Sequence, residues 1–131
     1  MSSEALTIIK DAMNEMELNY AFMEYIVEPG EPLPKTYFVG EYQEFESVNE
    51  DGEEETIFIL TGFSREKWIL LEEAKGKIKK CFPKATGKIV ATESGSTIAV
   101  FYANSLPVPV EDEELKKIQI NLTVKEWKVE E

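Results

Sequence analysis

The sequence contains no histidine, a single cysteine and a single arginine. Each shortage removes a class of chemistry. Without histidine there is no Ser–His–Asp triad and no Cys–His nucleophile pair, and zinc sites built from His and Cys are excluded with them. Cys81 has no partner for an intramolecular disulfide, and a free cysteine of this kind is usually a small packing residue. Arg65 alone is poor equipment for gripping phosphate or carboxylate substrates. The glycines at 30, 40, 52, 62, 76, 87 and 95 are scattered, so no glycine-rich loop cradles a phosphate. No apolar run reaches the roughly 20 residues that span a bilayer, and no membrane partner is expected. The start, Met1-Ser2-Ser3-Glu4, lacks a basic patch followed by an apolar core, so no signal peptide is expected. No cofactor, metal or catalytic residue is expected, and the chain is read as not an enzyme.

What is present is acid and apolar periodicity. The chain carries 26 acidic against 14 basic residues, a net charge of −12 over 131 residues. Such a surface repels nucleic acid and favours solubility. Apolar residues make up 43% of the chain, enough for a core, and the length favours one domain, 1–131.

The organising stretch is 55–83. Thr56 to Phe63 is an apolar run with both parities filled, which predicts a strand buried on both faces. Ser64 reads as the N-cap of a helix from Arg65 to about Phe82. On that helix Trp68, Leu71, Ala74, Lys75, Ile78 and Phe82 form a stripe. Glu66, Glu72 and Glu73 precede Lys75, Lys77, Lys79 and Lys80, which complements the helix dipole, and Pro83 ends it.

Before this stretch, Leu6, Ile9, Met13 and Met16 predict a first helix capped at Ser2 or Ser3 and running through Glu17. Asn19 to Val27 reads as a strand, broken by a loop with prolines at 29, 32 and 34. Lys35 to Ser47 reads as a second strand, with Asp51-Gly52 as the turn of a hairpin into the central strand. The hairpin tip is acidic: Glu50, Asp51, Glu53, Glu54 and Glu55. Its spacing does not match a twelve-residue calcium loop.

Beyond the second helix, Gly87 to Ser94 and Thr97 to Ala103 predict a second hairpin. Leu106, Pro107, Val108, Pro109 and Val110 form an extended, proline-interrupted segment that reads as a simple crossover at the edge of a sheet, with a loop able to dock on a neighbour as the alternative. In the last strand Ile118, Ile120, Leu122 and Val124 alternate with polar residues. Trp127 and Val129 then carry the apolar character on the opposite parity, so a bulge near Lys125-Glu126 or a different partner surface is expected. The fold class is therefore α+β: a mainly antiparallel sheet with two helices packed on it, in the order α-β-β-β-α-β-β-β.

Four segments carry a resemblance: the leading helix, the strand pair around Tyr37-Phe38-Val39 and Ile57-Phe58-Ile59-Leu60, the helix Lys67–Ala74, and the closing strand Lys117–Val124. Together they resemble the small tail-terminator or tail-completion proteins of long-tailed bacteriophages and prophages, also called minor tail or head–tail joining proteins. The resemblance implies a hexameric ring of the chain with itself, monomeric in isolation in some cases. Such a ring caps the tail tube and joins it to the head through tube and neck proteins. It implies assembly in the host cytoplasm and residence in the virion tail. DNA would pass through the lumen without specific binding. On that basis the acidic tip (Glu50, Asp51, Glu53, Glu54, Glu55) is the candidate lumen or ring face. Leu106, Pro107, Val108, Pro109, Val110 and Trp127 are candidate subunit contacts. The competing expectation from charge alone is a small acidic module, of the immunity-protein kind, that masks a basic partner.

Overall fold

The computed structural model describes residues 1–44 and 53–127. The chain runs α1 (Ser3–Glu15), β1 (Tyr20–Phe22), β2 (Thr36–Glu44), β3 (Glu53–Ser64), α2 (Trp68–Cys81), β4 (Lys88–Ala91), β5 (Thr97–Val108) and β6 (Lys116–Trp127). The strands form one sheet in the order β1-β2-β3-β6-β5-β4. All neighbours are antiparallel except β1 and β2, which are parallel. The α+β class and the element order follow the sequence reading.

Both helices pack on the same face of the sheet. Ala5, Ile9, Ala12 and Met13 of α1 and Leu71, Ala74 and Ile78 of α2 close over Phe38, Phe58, Leu60, Ile120, Leu122 and Val124. These residues form the buried core. The stripe expected on α2 is the stripe that is buried, and Phe82 follows it into the core.

Two aromatic rings set how closely the central strands meet. Phe38 stands opposite Gly62 in the β2–β3 register, and a Cβ on Gly62 would lie 2.5 Å from its ring. A Cβ on Gly40 would lie 2.5 Å from the ring of Phe58 and 2.8 Å from the Tyr20 hydroxyl. Only glycine leaves room for rings to lie against the backbone here. Burial pushes the Tyr20 hydroxyl up to about 12.

Ser2 caps α1, its hydroxyl oxygen accepting from the Ala5 amide at 3.1 Å. The same hydroxyl donates to the buried Glu126 carboxylate, which also accepts from the Ser2 amide at 3.2 Å. A carboxylate buried without partners would cost several kcal/mol; here it is answered by the helix N-terminus.

Several expectations are corrected. The central strand is not buried on both faces: Thr56, Phe58, Leu60, Gly62 and Ser64 are buried, while Ile57, Ile59, Thr61 and Phe63 are half-buried. No helix covers that second side among the described residues. The strand expected over 19–27 ends at Phe22, because Met23 takes a φ of 68° and turns the chain away. The second strand starts at Thr36 rather than Lys35, and its expected end at Ser47 lies outside the described residues. The first helix stops at Glu15, with Glu17 at a φ of 59°. Ser64 does not cap α2: it ends β3, and its hydroxyl bonds Thr36 and accepts from the Glu66 amide. The helix begins at Trp68, after Lys67, which makes no side-chain cap bond. The strand expected over 87–94 is confined to Lys88–Ala91, and its Ile89 is exposed.

The proline-interrupted segment is not a free loop, since β5 continues through Leu106, Pro107 and Val108, paired with β6. Pro107 is tolerated because β4 pairs only with residues 97–100, leaving this part of β5 at the sheet edge. β6 keeps unbroken register to Trp127 with no bulge at Lys125-Glu126; the bulge lies in β5, at Ala103.

Two outcomes are expected from this packing. Gly62→Val should destabilise by about 2 kcal/mol or more, because the added side chain must displace the Phe38 ring; denaturant unfolding measures it. The neutral Tyr20 is favoured in the fold, so stability present below the ordinary tyrosine pKa is lost as pH rises from about 10 to about 12. Tyr20→Phe should flatten that alkaline fall in melting temperature.

Candidate interaction face

The side of the sheet away from the helices is built from the odd-numbered residues of β2, β3 and β6, because successive side chains on a strand point to opposite faces. Registers arrange them in rows. Tyr37, Phe63, Lys117 and Val108 stand side by side across four strands. The next row is Val39, Thr61, Gln119 and Leu106. Then come Glu41, Ile59, Asn121 and Asn104, followed by Gln43, Ile57, Thr123 and Phe101. The Ala103 bulge brings Asn104, Leu106 and Val108 onto this face although their parity differs from that of Phe101.

One end of the face is aromatic. Tyr25 packs on Tyr37 with ring centroids 5.1 Å apart, Tyr37 stacks on Phe63 at 5.2 Å, and Lys117 Nζ sits 5.5 Å over the Phe63 ring. These residues, with Met23, Leu33 and the carboxylates of Glu24 and Glu41, line a groove of about 360 Å³. Met23 and Leu33 of that lining are exposed, and so is Ile26, by 76%. The middle is polar: Gln119 donates to Asn121 at 3.0 Å, and Asn121 donates to Asn104 at 2.6 Å. The other end is charged. Glu55 stands opposite Lys125, and Lys125 Nζ lies 3.7 Å from Glu53 and 5.9 Å from the Phe101 ring centroid. A second depression of about 390 Å³ opens there between Glu55, Lys84, Phe101 and Lys125.

A third depression, of about 450 Å³, lies on the helix side between the end of α1 and α2. Lys35 and Glu66 face each other across it at 3.9 Å, and Lys77 reaches the Met16 carbonyl at 3.4 Å. Elsewhere Arg65 donates to Asp112 at 3.0 Å, and that guanidinium, with the Glu114 amide, holds the Asp112 carboxyl below the usual range. Burial pushes the Cys81 thiol up, away from a reactive thiolate. Among the described residues, no group of three or more acidic or cysteine side chains is placed to hold a metal ion. Among them, no helix is long and apolar enough to cross a membrane.

Of the candidate residues, Glu50 and Asp51 lie outside the described residues. Glu53, Glu54 and Glu55 are the first residues of β3, paired with Trp127, Glu126 and Lys125 of β6. Thus they are strand residues and not a loop tip. Glu53, Glu55 and Trp127 share the charged end of the open face, and Leu106 and Val108 lie toward its aromatic end. Pro107 takes the other parity, and Pro109 and Val110 follow β5 outside the sheet. The aromatic row escapes a reading of Tyr37 and Phe63 as separate strand residues. The hairpin register that pairs them is the signal that would have joined them to Lys117.

The open face is only half-buried, so truncations there should cost less than on the helix side. Phe63→Ala is expected to destabilise by about 1–2 kcal/mol, against about 3–5 kcal/mol for Phe58→Ala. Equal losses in urea unfolding would show the two faces to be equally enclosed.

No protein family and no curated protein matches the chain in sequence. A solved structure whose name states no function is similar to it, with a TM-score of 0.70 at 13% identity, over 100% of this chain and 99% of that one. At that identity the likeness shows the fold alone, which is thus one found in another protein over its whole length.

Proposed function

We propose that this protein is a structural assembly protein of a bacteriophage or prophage tail. In this reading copies of the chain close into a ring that caps the tail tube and joins it to the head, with no catalytic step. The uncovered sheet face carries the proposal. It offers a neighbour an aromatic groove, lined in part by exposed Met23 and Leu33, at one end and a mixed-charge surface at the other. Exposed apolar patches rimmed by polar residues are a mark of contacts with other proteins. Tube and neck proteins are the partners, and the site of action is the host cytoplasm during assembly and then the virion tail. Net charge of −12 lets duplex DNA pass without sticking.

The acidic residues contribute to this role differently from a flexible tip. Glu53 is paired with Lys125 and Glu55 stands opposite it in the strand ladder, so their backbone positions are set by the sheet. The charge also favours a second reading, an acidic module that covers a basic partner.

Light scattering on a size-exclusion column, over a concentration series, separates the two. Six copies of the 15.0 kDa chain give a species near about 90 kDa, the expected result. A 15.0 kDa monomer at every concentration, paired with capture of a basic partner, would replace the ring with the masking module. Replacing Glu53, Glu54 and Glu55 with Lys should block DNA release or infectivity while rings persist; unchanged infectivity removes the lumen role. Because Lys at 55 would face Lys125 across the ladder, that variant is also expected to lose some stability, read as a lower melting temperature.

A further inference from the structure

The outward side of α2 is unlike the rest of the surface. Leu71, Ala74 and Ile78 face the core. Helical spacing puts Ile69, Glu73, Gly76 and Lys80 on the opposite line, at steps of three and four. Ile69 is 54% exposed. Gly76 sits in mid-helix, where glycine costs roughly 0.5–1 kcal/mol relative to alanine. Nothing inside the molecule requires it, since a Cβ there would meet nothing within 4 Å. A glycine on the outer line of a helix lets another backbone come close.

Three and four residues from that glycine the charges are antisymmetric, while Lys75 and Lys77 on either side of it are drawn off to Glu72 and to the Met16 carbonyl. Glu72 and Glu73 precede it by four and three residues, and Lys79 and Lys80 follow it by three and four. An antiparallel copy of the same helix crossing at Gly76 would therefore set acid against base on both sides of the crossing. Glu72 is bound to Lys75 at 2.6 Å and Lys79 lies over the Tyr102 ring at 5.1 Å, so Glu73 and Lys80, both exposed, are the pair that reaches across. Ile69 would meet the partner near Pro83, seven residues beyond the glycine.

We propose that α2 is a two-fold contact, in which the helices of two copies of this chain cross antiparallel at Gly76 with Glu73 of each beside Lys80 of the other. A two-fold axis makes each favourable pair occur twice. One helix of 14 residues offers a small surface, so the pairing is weak. It uses the helix layer and stands apart from the open sheet face. It doubles whatever unit that face builds: about 30 kDa from a monomer of 15.0 kDa, or about 180 kDa from a six-membered ring.

Sedimentation equilibrium on the full chain, up to about millimolar concentration and at low salt, reads the doubling. Gly76→Leu and Glu73→Lys should each weaken it at least tenfold. The double variant Glu73→Lys/Lys80→Glu should restore it to within about threefold of the wild type. That charge swap opposes the helix dipole, so its melting temperature should fall slightly while association returns; a purely local role for these charges would move only the first reading. Gly76→Leu should keep or raise the melting temperature, because its side chain meets open space and leucine favours helix. Absence of any doubling in the wild type, doubling unchanged in Gly76→Leu, or a swap that fails to restore it would each overturn the proposal.

Discussion

The approach of two phenylalanine rings to two glycines is the constraint on which the rest of the sheet depends. Phe38 lies on Gly62 and Phe58 on Gly40, and all four positions are buried on the face that the helices cover. A side chain at either glycine would hold the ring off the backbone and lift the helices from the sheet. With the rings down, Leu71 and Ile78 of α2 and Ile9 and Met13 of α1 reach the strands and share one core. The same glycines thin the sheet where β2 and β3 meet. Aromatic cover compensates for their lack of a side chain in the ladder.

Placing both helices on one face leaves the other to its own side chains. That face is not left bare: aromatic rings lean on one another at one end, amides bond in the middle, and Lys125 pairs with Glu53 at the far end. Each interaction hides some surface while leaving the residues half-accessible. The buried Glu126 shows the opposite economy, a charge accepted inside the core because the start of α1 supplies two donors.

Much of the fold was legible from periodicity. The alternation in β6 and the stripe on α2 each depend on one buried face, and both are strong patterns. Two misreadings have separate causes. Ile57, Ile59 and Phe63 are apolar without being fully buried, so composition alone made β3 look enclosed on both sides. Pro107 looked like a breaker because a ladder needs its missing N–H, but at an unpaired edge nothing does. The start of α2 was misplaced because Ser64 satisfies a turn amide rather than a helix amide, a distinction set by how Lys35 and Arg65 bring the strands together. The aromatic row needed a register, and register is a relation between strands that no single segment carries.

The bulge at Ala103 has an evolutionary reading. It is one residue, and it alone decides that Leu106 and Val108 look toward the open face while Pro107 looks the other way. Loss of a single codon there would rotate the whole distal half of β5 and exchange its two sets of side chains. Gain of one elsewhere along the edge would do the same in reverse. Because this half of the strand has one paired neighbour among the described residues, the exchange would disturb little else there. A lineage carrying this fold can thus remodel what it shows to its surroundings by insertion and deletion, without first altering a residue of the core.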